Sequence, residues 1–317
     1  MANSKIDLII AGINKQYGQN TINRYKSSEV VKAHYVSTGL AFLDYCISGV
    51  GKGLPRGRIV ELYGLPSGGK SLISAITVAS AQKRGEECIW IDAENAFDPE
   101  FAKRLGVDVE KLIVSQSSVG EPTMDIICKL LEGNPAIIVV DSVASMVPMD
   151  DMEKSFEENT MATRARLMSK GVAKINVLNK DTIIIFINQL RSNIGMYGAP
   201  SVTTGGRALG HYASVRIEVK TGDFIEENKQ RIGQIVKFRV TKNKVGPPWK
   251  EGFFEFYYDG HIDKENELVS MALVSGKLKF SGAWSEIAGE KFQGRKALEI
   301  MLRTDKEFLE KFMKEMK

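Results

Sequence analysis

Cysteine is scarce in this 317-residue chain: Cys46, Cys88 and Cys128 are widely spaced and never form a C-x-x-C pair. That pattern excludes a disulfide framework and offers no zinc site. Histidine is as sparse, and His34, His211 and His261 stand too far apart in sequence to suggest metal ligation. Long apolar runs are missing as well. Nothing approaches the roughly 20 residues that a spanning helix needs, and the short apolar stretch 8–13 has no cleavage-site pattern after it. The expectation is a soluble, cytoplasmic protein without a membrane partner. Charge of one sign is also lacking: 43 Lys and Arg against 39 Asp and Glu leave a net +4. That balance permits a nucleic-acid partner without arguing for one. Repeats and low-complexity segments are absent. What remains is a chain that is 43% hydrophobic, long enough for one large core with smaller attachments.

Residues 6–13 are apolar and residues 14–28 polar, which reads as an amphipathic helix and a linker that needs some surface to pack on. From Arg58 onward short β-branched runs alternate with helical stretches. The strands are expected at 59–63, 88–92, 112–114, 136–141 and 182–188, and the helices at 71–84, 99–105, 121–131 and 161–179. Such alternation implies βαβ units and a mostly parallel sheet. The runs Ala136-Ile137-Ile138-Val139-Val140 and Thr182-Ile183-Ile184-Ile185-Phe186-Ile187 are apolar at every position, as strands covered on both faces are. After Gly206 alternating segments at 213–220, 233–241 and 253–258 predict an antiparallel extension. Residues 266–317 read as a small α+β domain, mostly helical, with Trp284 and Phe292 as core anchors. The fold class is therefore α/β, divided as residues 1–34, a core over 35–265, and 266–317.

Gly64-Leu65-Pro66-Ser67-Gly68-Gly69-Lys70-Ser71 matches G-x-x-x-x-G-K-[ST] between an expected strand and an expected helix. Glycines let backbone N–H groups turn inward as an anion nest. Lys70 suits the β- and γ-phosphates and the Ser71 hydroxyl a Mg²⁺ ion. Asp141, closing an apolar strand, stands where a second metal ligand belongs. Glu94, just past Ile89-Trp90-Ile91-Asp92, is the candidate base for hydrolysis. Gln189 ends its strand at the same edge, where it could sense the γ-phosphate.

Taken in order, these residues resemble the RecA family of ATP-dependent DNA recombinases. The shared passages are Ser37-Thr38-Gly39, the run from Gly53 to Glu61, the P-loop, and Ile91-Asp92-Ala93-Glu94. They continue with Val139-Val140-Asp141-Ser142, Phe186-Ile187-Asn188-Gln189, Thr204-Gly205-Gly206, Tyr212-Ala213-Ser214-Val215-Arg216 and Lys242-Asn243-Lys244. The resemblance implies ATP and Mg²⁺ as cofactors, with Lys70, Glu94 and Gln189 in catalysis. Asp98 and Phe101 would contact the adenine. Lys242 and Lys244 would reach the ATP of a neighbouring subunit, and the N-terminal helix would dock on the adjacent protomer of a helical filament. Single-stranded DNA and a homologous duplex are the implied partners, along with single-strand-binding and loader proteins.

DNA contacts fall, by the same resemblance, in two loops. The first, about 149–160, precedes a helix carrying Met161, Arg166 and Ser169. The second, 190–206, is long, glycine-rich and expected to be structureless. It offers Arg191 to a phosphate, Ile194 as an apolar wedge, and Thr204-Gly205-Gly206 as backbone donors, followed by Arg207. Several positions depart from the family pattern. Leu65-Pro66 replaces an acidic residue, Arg207 a small polar one and His211 an aromatic apolar one, and the first loop is acidic. A short, divergent member of this kind suits a bacteriophage. A ring-forming helicase on the same core and an ATP-gated scaffold that coats DNA are the rival readings.

Overall fold

The computed structural model describes residues 4–18, 21–22, 34–152, 161–191 and 202–316, in two compact units, Met1–His34 and Tyr35–Lys317. In the first unit helix α1 (Lys5–Tyr17) starts at a capping box. The Ser4 hydroxyl accepts the Ile6 amide at 3.2 Å, and the Asp7 carboxylate accepts the Ser4 amide at 3.1 Å. Ile6, Leu8 and Ile9 are exposed along it.

The second unit opens with a small antiparallel pair, β1 (Tyr35–Val36) and β2 (Leu54–Pro55), on either side of helix α2 (Ala41–Ser48). The expected alternation follows: β3 (Ile59–Gly64), α3 (Lys70–Gln82), β4 (Cys88–Asp92), α4 (Pro99–Arg104), β5 (Ile113–Ser115) and α5 (Gly120–Leu130). It continues through β6 (Ile137–Asp141), a short turn of helix α6 (Met149–Met152), α7 (Met161–Leu178) and β7 (Ile183–Arg191). Then come β8 (Val202–Thr203), α8 (Ala208–Tyr212), β9 (Val215–Glu227), β10 (Gln230–Asn243) and β11 (Glu251–Tyr257).

These strands form one sheet in the order β11-β10-β9-β3-β7-β6-β4-β5, with β8 pairing to β7. The pairs from β9 to β5 are parallel, while β9, β10 and β11 run antiparallel. Side chains alternate along the parallel strands. Val60, Leu62, Cys88, Trp90, Val139 and Ile185 enter one core with α3, and Ile59, Ile89, Ile91, Ile138 and Phe186 enter another with α5 and α7. Covered faces on both sides explain the unbroken apolar runs. Every parallel strand therefore delivers its carboxyl end to one edge of the sheet, where an open α/β sheet binds ligands.

The remainder comprises α9 (Lys264–Val274), a three-stranded antiparallel sheet of β12 (Phe280–Ser281), β13 (Trp284–Ile287) and β14 (Glu290–Gln293), then α10 (Gly294–Thr304) and α11 (Lys306–Glu315). Their buried residues Val269, Leu298, Leu302, Phe308 and Phe312 join the α3 side of the core. Phe292 is buried as expected, but Trp284 is 53% exposed. In β13 the inward positions are Ser285 and Ile287, so the alternation turns Trp284 outward. The β9–β10 hairpin also runs well beyond the expected segments. It closes on Asn228-Lys229, both with positive φ as a two-residue primed turn requires. Among the described residues no helix is long and apolar enough to cross a membrane.

Two buried carboxyl groups join α2 to its surroundings. Asp44 accepts the Thr38 amide at 2.8 Å and the Thr38 hydroxyl at 2.6 Å, and Glu267 on α9 accepts the Phe42 amide at 2.9 Å. Burial pushes Glu267 from 4.5 up to about 8 against the Phe42 hydrogen bond, and nearby Asp44 raises it further. Burial likewise raises Asp44 to about 6. Both folded values lie above the unfolded ones, so the folded chain holds protons that the unfolded chain has lost. Stability therefore falls as pH rises through this window. Glu267→Gln keeps an acceptor for Phe42 and removes the titration. Its melting temperature at pH 8 is expected to exceed the wild type's by at least about 3 °C, with a much smaller gain at pH 5. An equal gain at both pH values in a calorimetric scan would contradict this account.

Candidate functional site

The P-loop leaves β3 at Gly64 and enters α3 at Lys70. Its glycines are there because nothing else fits. A Cβ on Gly64 would lie 2.1 Å from the Val219 carbonyl oxygen, and Gly69 caps α3 with φ +96° beside Val236. Lys70 is buried, and its ammonium donates to the carbonyls of Leu65 at 2.7 Å and Gly64 at 3.3 Å. Burial lowers its pKa, opposed by the negative charges of Asp141 and Glu94. The loop thus holds one cation against its own backbone carbonyls.

Four strand ends bring the sequence-predicted residues together. The Ser71 hydroxyl donates to Asp141 Oδ2 at 2.7 Å, which sets a hydroxyl and a carboxylate side by side, the oxygen donor types that a hard cation takes. Burial raises Asp141 to about 6; the Ser71 hydrogen bond opposes this, and the nearby Glu94 and Asp92 carboxylates add to it. Glu94 Oε1 accepts hydrogen bonds from the Ser142 hydroxyl and, at 3.3 Å, from Gln189 Nε2. The loop carrying Glu94 is fixed by the buried Asp92, whose carboxylate accepts the Ala96 and Phe97 amides at 3.1 and 3.0 Å. Asp98 caps α4, accepting the Glu100 and Phe101 amides at 2.9 and 3.0 Å. The Phe101 ring meets Phe256 edge-on at 6.1 Å.

Gln189 also faces the second loop, which is not structureless at its roots. Leu190 and Arg191 extend β7 and pair with Thr203 and Val202 of β8, and the Thr204 amide donates to the Gln189 carbonyl at 3.2 Å. Gly205 and Gly206 follow with φ +83° and +79°. A Cβ on Gly205 would lie 2.9 Å from Met168 of α7, so only glycine lets this turn lie against the helix. Arg166 and Ser169 are exposed on the same helix, and Arg207 is exposed just before α8. Met161 opens α7. Ile194 lies outside the described residues, as does most of the second loop. Of the first loop, Met149–Met152 is a helical turn and the rest lies outside them.

Lys242 and Lys244 stand apart from the residues around Ser71. Lys242 Nζ donates to the carbonyls of Gly210 and His211 at 2.7 and 2.8 Å, at the end of α8. Burial lowers its pKa, and Lys244 and Arg216 lower it further, against Glu61.

Sequence reasoning gave no role to the group that ties these parts together. Glu61, fully buried in β3, accepts from Arg216 Nε of β9 at 2.5 Å and from Asn188 Nδ2 of β7 at 2.9 Å. The same Asn188 amide donates to the Thr204 carbonyl at 3.0 Å. Arg216 also stacks over Tyr63 at 4.6 Å, and the Tyr63 hydroxyl meets Thr241 at 2.8 Å. The available signal was a lone carboxylate inside an apolar strand, a residue type almost never buried without a partner.

A family model for the RecA N-terminal domain matches residues 4–263. Among curated relatives, Protein RecA of Chloroherpeton thalassium is 39% identical over 318 residues, covering 99% of this chain and 88% of that protein. Protein RecA of Chlorobaculum tepidum is 40% identical and that of Helicobacter pylori 41%, each over 307 residues, 95% of this chain and 88% of the relative.

Asn188→Ala leaves a buried Glu61 oxygen and the Thr204 carbonyl each short of a partner. It is expected to cost about 1–3 kcal/mol of stability, while nucleotide affinity at the P-loop changes little. Arg207→Ala, at an exposed position, should stay within about 0.5 kcal/mol of wild type. Urea denaturation of both variants distinguishes the two; an Asn188→Ala chain as stable as wild type would remove the network's structural role.

Proposed function

The chain belongs to the RecA family, and from that premise we propose that it is an ATP-dependent DNA recombinase. It assembles as a helical filament on single-stranded DNA, aligns that strand with a homologous duplex and exchanges strands while hydrolysing ATP to ADP and phosphate. The observation that carries the reading is the unbroken hydrogen-bonded path from Glu94 through Gln189 to Thr204 at the root of the second loop. In this reading the path sets the hydrolytic carboxylate and a DNA-facing segment on either side of Gln189, one residue of β7.

In this reading the P-loop amides cradle the phosphates and Lys70 turns from the Leu65 and Gly64 carbonyls to the β- and γ-oxygens. Ser71 and Asp141 would hold Mg²⁺, which when bound neutralises charge on the same phosphates. Glu94 accepts the proton of a water whose oxygen bonds to the γ-phosphorus as the bridging bond to ADP breaks. Gln189 donates to the γ-phosphate while its backbone stays bonded to Thr204. Asp98 and Phe101 meet the adenine. Lys242 and Lys244 complete the site of the neighbouring protomer, and α1 packs on that neighbour in a contact that propagates without closing.

On the DNA side Arg166, Ser169, Arg191 and Arg207 face phosphates, as do the backbone donors of Thr204-Gly205-Gly206, with Met161 and Ile194 as apolar contacts. Sequence choice is left to base pairing, and exchange of one duplex for an equal one is nearly balanced in energy. The setting is the cytoplasm of a bacterial cell or a phage-infected host, where single-strand-binding and loader proteins are further partners.

Strand exchange with homologous duplex, and none with heterologous duplex, is the expected result. DNA-stimulated ATPase without exchange would instead point to a helicase or a coating scaffold. Glu94→Gln is expected to slow turnover at least about 100-fold while ATP-dependent filaments persist in electron micrographs. Loss of filaments along with turnover would count against Glu94 as the base.

A further inference from the structure

Glu94 is fastened, by its backbone and by its side chain, to two residues at the end of β6. Its amide donates to the Asp141 carbonyl at 3.2 Å, beside the Ala93 amide on the same oxygen at 2.7 Å. Its carboxylate accepts from the Ser142 hydroxyl through Oε1. The register that sets Asp92 of β4 opposite Asp141 brings these groups together. Just past Glu94 the chain turns through Asn95 at φ +53°, and Asp92 then holds the Ala96 and Phe97 amides.

Ser142 is fully buried, whereas Glu94 is exposed. A buried hydroxyl needs an acceptor, and the ordinary one for serine is a backbone carbonyl close in sequence. Ser142 takes instead a carboxylate from 48 positions away. An exposed glutamate has water for its hydrogen bonds and many rotamers open to it, so the pairing serves to fix the glutamate rather than to satisfy it. A hydroxyl bonded to a carboxylate also belongs to the stronger class of hydrogen bonds. The Ser142 backbone is itself set on both sides, by the pairing of β4 with β6 at Asp141 and by the 3₁₀ turn Val143–Ser145, where the Ser145 amide donates to the Ser142 carbonyl at 3.2 Å.

Gln189 gives Oε1 a second donor, at 3.3 Å. The two donors have unequal duties. In the proposed function Gln189 turns to the γ-phosphate, whereas Ser142 stays where its backbone holds it. Both use Oε1, and among the described residues nothing donates to Oε2.

We propose that Ser142 is a positioning residue for ATP hydrolysis: its hydroxyl holds Glu94 by Oε1, so that Oε2 takes the proton of the attacking water. The inference rests on Glu94 being the base, as in the proposed function. Asp141 meets Ser71 of α3 while Ser142 meets Glu94, so one dipeptide sets the base relative to the P-loop helix. When Gln189 leaves for the γ-phosphate, the Ser142 hydroxyl is the donor that keeps the carboxylate aimed. Misplacing a reacting group by about 1 Å costs on the order of 100-fold in rate. The loss therefore falls on turnover and not on nucleotide affinity.

The test compares ATP hydrolysis on single-stranded DNA by the wild type, Ser142→Ala and Ser142→Cys; the last fills the same space with a weak donor. In both variants kcat is expected to fall at least about tenfold, with affinity for a non-hydrolysable ATP analogue within about twofold of wild type. In a Glu94→Gln background, Ser142→Ala is expected to change the residual single-turnover rate by less than about twofold, because the two side chains act as one unit. Wild-type turnover in either variant overturns the proposal, the Cys result assigning Ser142 to packing alone. So does an equal loss in the two backgrounds, or a loss carried by nucleotide affinity. Where Ser142→Ala does not fold, Ser142→Cys decides in both backgrounds. Wild-type turnover by Glu94→Gln alone is a separate failure, that of Glu94 as the base.

Discussion

Carboxylates buried in a sheet are costly, and the Glu61 side chain is wholly shielded from solvent in the middle of β3. It is tolerated because two neighbouring strands each send it a donor. Arg216 lies directly across in the register between β3 and β9, and Asn188 reaches in from β7. A slip of one residue in β3 would turn Glu61 to the opposite face, into the core lined by Val60 and Leu62. The pairing therefore pins three strands at the point where the sheet changes from parallel to antiparallel, directly behind the P-loop.

That fixed point decides how the nucleotide side and the loop side can communicate. Asn188 divides its amide between Glu61 and the Thr204 carbonyl, so the backbone at the root of the second loop is tied to the sheet. Gln189, one residue on, binds Thr204 through its carbonyl but Glu94 through its side chain. A strand locked at Asn188 does not slide. In the proposed function a signal between the carboxylate and the loop would run through the Gln189 side chain, which reaches Glu94 at 3.3 Å.

How much of this was legible beforehand depended on whether a residue's role was local. The P-loop, the closing Asp141 and the parallel core follow from short patterns, and the structure joins Ser71 to Asp141 as those patterns imply. Glu61 was visible as an oddity, but its partners lie 127 and 155 positions away, so no local pattern could assign it a role. Trp284 was misjudged because a large aromatic reads as core, whereas a short strand with one covered face sends alternate residues outward. The β9–β10 arm was underestimated because its tip is polar on both faces, and alternation signals a strand only where one face is buried. At the second loop the glycine content was read as freedom, although Gly205 and Gly206 are required by close packing against α7.

In the proposed filament the position of Lys242 would link this frame to assembly. Its ammonium rests on two carbonyls at the end of α8, while burial, Lys244 and Arg216 all disfavour its charge. The one carboxylate that favours it, Glu61, already satisfies Arg216 and Asn188. Lys242 and Arg216 thus draw on one buried carboxylate with Lys244 close by, and in the proposed filament a polyphosphate brought by another protomer would relieve that crowding of cations. In the proposed filament the P-loop and the Lys242 cluster are therefore complementary halves: the first offers donors around phosphate, and the second offers cations short of an anion. Because β9 carries Arg216 and β10 carries Lys242 on strands whose register follows from the Glu61 pairing, the buried carboxylate that orders the sheet would also set where that half of the proposed site faces.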